Sequence, residues 1–356
     1  MSAQWERLQG VGDYRRVTKK ASVPAPMEAL LAAALPDGKG WQFEPKWDGF
    51  RCLARRDEDE VTLTSKSGKP LARYFPEVVE MLRGLKAEQF LLDGELIIPV
   101  GDALSFDALQ LRLHPAESRI RKLAKETPAE LMAFDFLELD GESLAGLPLS
   151  QRRKLLEQFF RNNETAGLQL SPMTCDRDVA IGWLERSGGA LDGVIAKRAD
   201  QDYRSGERAM IKVKQQRTSD CVVGGFRYAE KKKEVGSLLL GLYDDQGLLD
   251  HVGFTSAIPA AERPALTKKL EGLIRPPGFT GSAPGGPSRW NTARSMAWEP
   301  LKPVLVVEVR YDQVTGRRFR HGTGFLRWRP DKDPKQCTFD QLAPELKPSE
   351  LKELFG

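Results

Sequence analysis

The sequence is poor in the residues that build zinc sites and disulfide frameworks. Its 356 residues include only four cysteines, Cys52, Cys175, Cys221 and Cys337, and no two of them form a C-x-x-C pair. Histidine is scarcer, at His114, His251 and His321. A structural zinc site is not expected from so few dispersed ligands. The spacing offers no secreted disulfide scaffold either, which fits a reducing cytoplasm. No stretch approaches the ~20 apolar residues of a membrane span. Residues 1–22 set Trp5 and Tyr14 among Arg15, Arg16, Lys19 and Lys20, a polar lead-in without a signal peptide's apolar run. No G-x-x-x-x-G-K-[ST] loop occurs, which excludes an ordinary P-loop ATPase. The formal charge is only +4, so the distribution of charge says more than its sum. Between Arg310 and Arg329 there are six arginines and a single acid, Asp312, a local excess suited to a polyanion.

Apolar residues at 40% and charged residues at 29% describe a globular chain, long enough for two or three domains. Its centre is Glu44-Pro45-Lys46-Trp47-Asp48-Gly49-Phe50-Arg51, a lysine flanked by Trp41, Phe43, Trp47 and Phe50. A free lysine amine titrates near 10.4 and is a poor nucleophile at neutral pH. Burial and neighbouring cations release it for attack. Gly49 allows a tight turn or a close approach, and Arg51 can grip a ligand oxygen by a forked contact.

Along the chain, Val23 to Met27 reads as an extended connector, because each proline disfavours helix in the residue before it. Glu28 to Leu35 reads as a short helix. Trp41 to Arg55 alternates like a strand interrupted by the lysine stretch, and Val61 to Thr64 follows as its partner. Pro76 opens a helix through Leu85. Phe90 to Ile98 is an apolar strand with Asp93-Gly94-Glu95 inside it, and a buried acid without a partner or a metal is rare. Helices are expected over Ser105 to Leu113, Arg119 to Glu126, Gln151 to Phe160 and Val179 to Arg186. Leu131 to Leu137 and Leu191 to Arg198 are buried strands, each carrying an acid. In Met210 to Lys214 the alternation puts Lys212 and Lys214 on one face. Beyond residue 216 the texture changes to short strands: Cys221 to Phe226, Ser237 to Tyr243, Leu248 to Phe254, Val304 to Tyr311 and Phe325 to Trp328. One helix, Pro259 to Ile274, interrupts them, and Pro276 to Arg289 reads as a loop rich in Gly, Pro and Ser. Five strands with one helix fit a small barrel.

Lys46-x-Asp48-Gly49-x-Arg51 is the pattern of the covalent nucleotidyltransferases. Further pieces appear in that superfamily's order. Ser65-Lys66-Ser67-Gly68 resembles its S-R-x-G turn, and Asp93-Gly94-Glu95 its acidic strand. Phe134-Asp135 resembles its base-stacking motif, Asp192 through Lys197 its E-G-x-x-x-K, and Lys212-Val213-Lys214 its paired lysines. Arg329-Pro330-Asp331-Lys332 resembles the R-x-D-K motif of DNA ligases and capping enzymes. The chain as a whole resembles the short bacterial ATP-dependent DNA ligases of the type C group, close to the ligase domain of the end-joining ligase D.

The resemblance implies an α+β fold. A nucleotidyltransferase (adenylation) domain of antiparallel sheets with flanking helices would cover residues 23–216. An OB-fold β-barrel would cover 217–345, with a tail over 346–356. It implies sealing of nicks in duplex DNA for repair, with ATP as cofactor, magnesium or manganese as the metal, and a monomer in the bacterial cytoplasm working at the nucleoid. Lys46 would take the adenylate, Glu44 would read adenine and Phe134 would stack on it. Arg51 and Glu95 would hold the ribose, and Glu95 with Asp192 would coordinate the metal. Lys197, Lys212 and Lys214 would meet the α-phosphate, and Arg329 and Lys332 would close over pyrophosphate. Two positions depart from the pattern. Asp192 stands where Glu is usual, one methylene shorter, with room for a bridging water. Lys66 replaces an Arg, so a forked contact becomes a point charge. An RNA ligase and a capping-type guanylyltransferase share most of these motifs and stand as alternatives, as does a binding module that has lost its chemistry. NAD-dependent ligases resemble a longer chain with a cysteine zinc site, which this sequence lacks.

Overall fold

A computed structural model describes residues 23–342 other than 102, 188–190, 216, 231, 286–296, 313, 316 and 321. The polar lead-in, the expected tail, the far end of the Gly/Pro/Ser loop and Lys231, first of three successive lysines, lie outside the described residues.

The lysine motif spans a crossing between two sheets. Trp41–Trp47 is an edge strand of a four-stranded sheet, in which it pairs with Leu191–Arg198. That strand pairs with Met210–Val213, which pairs in turn with Ala29–Ala32. After Asp48 and Gly49 the chain enters Phe50–Asp57, which belongs to the second sheet. There it lies between Glu60–Ser65 and Gln89–Ile97, followed by Glu130–Leu139 and Leu168–Leu170. The interrupted alternation from Trp41 to Arg55 is therefore two strands in two sheets. Gly49 makes the crossing possible: a Cβ there would lie 2.1 Å from the carbonyl oxygen of Leu96.

Alternation along each strand divides the core. Leu53, Leu91 and Leu137 point inward from the second sheet to meet Met210 of the first and the loop residues Met27 and Tyr203. Cys52, Ala54 and Leu92 point outward, under the helices Pro76–Arg83 and Leu149–Asn162. On the outer face of the first sheet, Ala180 and Trp183 of helix Arg177–Glu185 cover Phe43, Val194 and Ala196. Gln89–Ile97 runs unbroken through Asp93-Gly94-Glu95, so no hairpin forms there. The helix expected over Glu28 to Leu35 is absent. Ala29–Ala32 is a strand instead, parallel to Met210–Val213. Pro24 and Pro26 deliver the chain extended, and the exposed edge of Met210–Val213 offers a ladder that one short helical turn cannot match.

The second domain is built on Arg217–Tyr228. Val235–Tyr243 and then Leu249–Thr255 lie on one side of it, with Val306–Tyr311 and then Gly324–Trp328 on the other. The expected helix is a short 3-10 turn leading into Arg263–Glu271. These are the strands of the expected OB-type domain, but no ladder closes them into a barrel among the described residues. A single bridge, Thr255 to Thr323, joins the two outer edges. The gap is filled by Phe319, which packs on Tyr311 at 4.9 Å between ring centroids and sits against Gly253.

Candidate active site

Gln42, Glu44 and Lys46 share one face of Trp41–Trp47. The Lys46 amine is 2.5 Å from Oδ2 of Asp192, whose Oδ1 is 2.9 Å from Lys214 Nζ. Asp192 is on the partner strand, at a bulge where Gly193 takes a φ of +132°. A Cβ at Gly193 would lie 2.1 Å from the Val213 carbonyl oxygen. The glycine thus lets the two strands close and brings an acid to both lysines.

Arg51, paired in register with Glu95, turns to Asp93 and makes two hydrogen bonds of 2.6 Å with its carboxylate. Tyr203 donates its hydroxyl proton to the same Asp93 at 2.7 Å and accepts from the Met27 amide at 2.9 Å. Asp93 is wholly buried. Arg51 also lies 4.6 Å from the Phe134 ring centroid, and Lys197 Nζ lies 4.8 Å from it. Behind Phe134, Asp135 receives both arms of Arg152, a pair buried on both sides. Burial pushes the Asp135 carboxyl up, but the Arg152 guanidinium outweighs it and holds it below its ordinary value.

These groups enclose a cleft of about 470 Å³ between the two sheets. Glu44, Lys46, Arg51, Lys66, Glu95, Phe134, Lys197 and Lys212 all line it. Burial raises the Glu95 carboxyl from an ordinary 4.5 to about 7, against the opposing pull of Lys46 and Arg51. Lys212 is lowered, first by burial and then by repulsion from Lys46, Lys214 and Lys66. Burial also disfavours the Lys214 ammonium, but Asp192 reverses the balance and raises it. The cleft thus offers six cations, including Arg208, and three acids, Glu28, Glu44 and Glu95. That excess suits a polyphosphate.

Other expected residues sit apart. Lys214 is held behind the cleft by Asp192 and by Asp312 of the second domain at 3.3 Å. Arg329 pairs with Asp220 and Asp331, and Lys332 with Asp220, so neither is among the residues lining the cleft. The second domain reaches the lysine motif through a different residue, Arg320, which pairs with Asp48 and lies 3.6 Å over the Phe106 ring. Several arginines of the basic stretch are engaged with acids of their own domain, Arg317 with Asp250 and Arg327 with Glu308 among them. No cluster of three or more His, Cys, Asp or Glu side chains suited to a metal occurs among the described residues. The donors present are Glu95, whose raised acidity range leaves its oxygens poised to exchange a proton for a cation, and Asp192, whose oxygens both hold ammonium groups. Hard carboxylate oxygens of this kind, one or two of them completed by phosphate and water, fit magnesium.

Comparison over the whole chain identifies its family. Residues 23–214 match the ATP dependent DNA ligase domain family, and residues 231–332 match the ATP dependent DNA ligase C terminal region. The chain belongs to the ATP-dependent DNA ligases. This ligase is 46% identical to DNA ligase C2 of Mycolicibacterium smegmatis over 334 residues, 89% of this chain and 94% of the relative. It is 30% identical over 321 residues to the multifunctional non-homologous end joining DNA repair protein LigD of Mycobacterium tuberculosis, covering 87% of this chain and 37% of that protein. A solved Lig E DNA ligase aligns with a TM-score of 0.51 at 19% identity, over 85% of this chain and all of that one, which supports the fold. DNA ligation thus stands over the RNA-ligase and capping alternatives, with ATP as the cofactor.

Five residues in or behind the cleft had not been named as candidates. Asp93 was visible as the first acid of acid-glycine-acid, and Gln42 by its spacing from Glu44. Tyr203, Arg208 and Glu28 carried no sequence signal, because only the fold brings Glu28 and Arg208 to one cleft and Tyr203 to the buried Asp93 behind it.

Proposed function

We propose that residues 23–216 form the adenylation domain and 217–345 the OB-type domain, and that Lys46 is the residue that carries the adenylate. The Lys46 amine attacks the α-phosphorus of ATP, a P–N bond forms, and pyrophosphate leaves with the electron pair of the broken P–O bond. Asp192 Oδ2 is placed to accept the amine's proton. The nitrogen of the resulting phosphoramidate is uncharged while its phosphoryl oxygen stays anionic, and Asp192 passes the proton on to solvent. In the second step a 5′-phosphate oxygen at a DNA nick attacks the same phosphorus and breaks the P–N bond. In the third the 3′-hydroxyl attacks the activated 5′-phosphate and AMP departs. Such transfers depend mainly on positioning and charge neutralisation.

Glu44 contacts the adenine amino group, Phe134 stacks on the ring, and Arg51 with Glu95 holds the ribose. Lys197 and Lys212 neutralise the α-phosphate, Lys214 joins them when it is released from Asp192 and Asp312, and Lys66 stands at the cleft mouth. Glu95 and Asp192 would hold magnesium or manganese, which would supply charge neutralisation at the phosphates. Arg329 and Lys332 act on pyrophosphate in an arrangement of the second domain that releases them from Asp220. Nicked duplex DNA lies along a groove of about 1010 Å³ that shares Arg51, Lys66 and Glu95 with the nucleotide cleft and carries Lys69 and Arg73. The arginines between Arg310 and Arg329 add phosphate contacts from the other side. The protein works as a monomer in the cytoplasm, at the nucleoid, without a membrane partner. No described helix is long and apolar enough to cross a membrane.

One observation carries this reading: Lys46 faces the cleft with Asp192, Lys212 and Glu95 grouped about its amine. Intact mass after incubation with ATP and magnesium tests it. The expected result is a gain of one AMP, reversed by pyrophosphate and absent in Lys46→Ala. A Lys46→Ala protein that still gains AMP, or an unaltered protein that neither gains AMP nor loses it to pyrophosphate, overturns the assignment.

A further inference from the structure

We propose that Gln42 is a positioning residue that sets the base specificity of this ligase, through Glu44. The inference deepens the reading of Glu44 as the purine contact and rests on it.

Gln42 lies two residues before Glu44 and four before Lys46, on the same face of Trp41–Trp47. It is 1% exposed and does not line the cleft. Its Nε2 donates to Glu44 Oε1 at 2.7 Å, while Lys197 Nζ lies 2.7 Å from Glu44 Oε2. Glu44 itself is 2% exposed but does line the cleft. A carboxylate only accepts hydrogen bonds. The amide must therefore turn its NH2 toward Glu44, and its orientation follows from chemistry. One carboxylate oxygen accepts from a directional amide and the other faces a point charge. The plane of the carboxylate is thereby fixed, and its remaining lone pairs are presented to the cleft as acceptors.

Adenine offers an N6 amino donor to such an acceptor, whereas guanine offers the O6 oxygen. Two acceptors repel, so a fixed Glu44 admits one base and rejects the other. Without Gln42 the remaining tether among the described residues is the Lys197 ammonium, which imposes little direction. The carboxylate is then free to swing, and both the gain for adenine and the penalty for guanine shrink. Lys46 and its partners Asp192 and Lys212 are untouched by this change, so the effect falls on nucleotide binding and selection, not on the attack.

The test measures KM and kcat of self-nucleotidylation with ATP and with GTP for the unaltered protein, Gln42→Met, Gln42→Glu and Glu44→Gln. Methionine keeps the volume and removes the donor. The expected result for Gln42→Met is an ATP KM about 10- to 100-fold higher, the scale of a lost hydrogen bond to a charged group. Its kcat should stay within about threefold, and its preference for ATP over GTP should fall by a similar factor. In Gln42→Glu the introduced carboxyl, once protonated, can donate to Glu44 as the amide does, so ATP selectivity is expected to return as pH falls from 8 to 6. Unchanged selectivity in Gln42→Met, with selectivity lost in Glu44→Gln, overturns the role of Gln42 and leaves Glu44 as the base contact. Equal losses for ATP and GTP in Gln42→Met, with no recovery in Gln42→Glu at low pH, show a merely structural residue and also overturn it. Unchanged selectivity in Glu44→Gln overturns the reading of Glu44, and the inference falls with it.

Discussion

Replacing Glu95 by Gln should flatten a pH dependence that the cleft builds into the free protein. Burial raises this carboxyl from 4.5 to about 7, even with Lys46 and Arg51 pulling the other way. Between those two values the folded protein holds a proton that the unfolded chain has released. The stabilising contribution is therefore complete below pH 4.5 and is lost as pH rises through 7. At about 1.36 kcal/mol for each pH unit, the interval amounts to about 3 kcal/mol. Urea unfolding of the ATP-free protein at pH 5, 6, 7 and 8 measures it directly. The unaltered protein should lose stability relative to Glu95→Gln as pH rises, by up to about 3 kcal/mol across the range. The same titration governs catalysis with the opposite sense. The charged carboxylate is the form that can hold a divalent cation, so self-adenylation should fall as pH drops through 7. Added magnesium should push that acid limb to lower pH, because cation and proton compete for the same oxygens. A stability difference that stays constant from pH 5 to 8 would refute the argument, as would an acid limb indifferent to magnesium.

Three further outcomes rest on contacts in the same domain. Arg152→Met should destabilise the fold by about 3–5 kcal/mol, because it leaves the buried Asp135 carboxylate without its partner; thermal unfolding reads the loss, and adding Asp135→Asn should recover much of it. In Gly49→Ala the new Cβ meets the Leu96 carbonyl oxygen, so the two sheets must part at the nucleophile and the rate of AMP labelling should fall by about 100-fold or more; a labelling rate near that of the unaltered protein would show that the crossing tolerates a side chain. Lys69→Ala and Arg73→Ala, on the groove beside the cleft, should each weaken binding to a nicked duplex and lower the slope of log affinity against log salt by about one; an unchanged slope would place the DNA elsewhere.

Local sequence was enough to reveal the chemistry and most of the elements. Lys46, Glu44, Arg51, Glu95, Phe134, Lys197 and Lys212 were named by resemblance to the family's motifs, and the fold gathers all seven on one cleft. A strand's alternation decides which residues share a face, and a glycine decides where the backbone can turn or approach closely. Strand Leu191–Arg198 and helix Pro76–Arg83 were legible for the same reason, since their periodicity is written into neighbouring residues. The rest came from contacts between distant parts of the chain. Ala29–Ala32 became a strand because a distant edge at Met210–Val213 was open to it, and no local pattern reports a distant partner. Asp192 became the counter-ion of Lys46 and Lys214 only through the bulge at Gly193. Tyr203 and Arg51 meet on one buried carboxylate, although 152 positions separate them in the chain. Arg329 and Lys332 are spaced as their motif requires, but the neighbouring Asp220 holds them outside the cleft. Motif spacing thus puts candidate groups on one strand face, while long-range packing and charge pairing fix which of them stand together in the cleft.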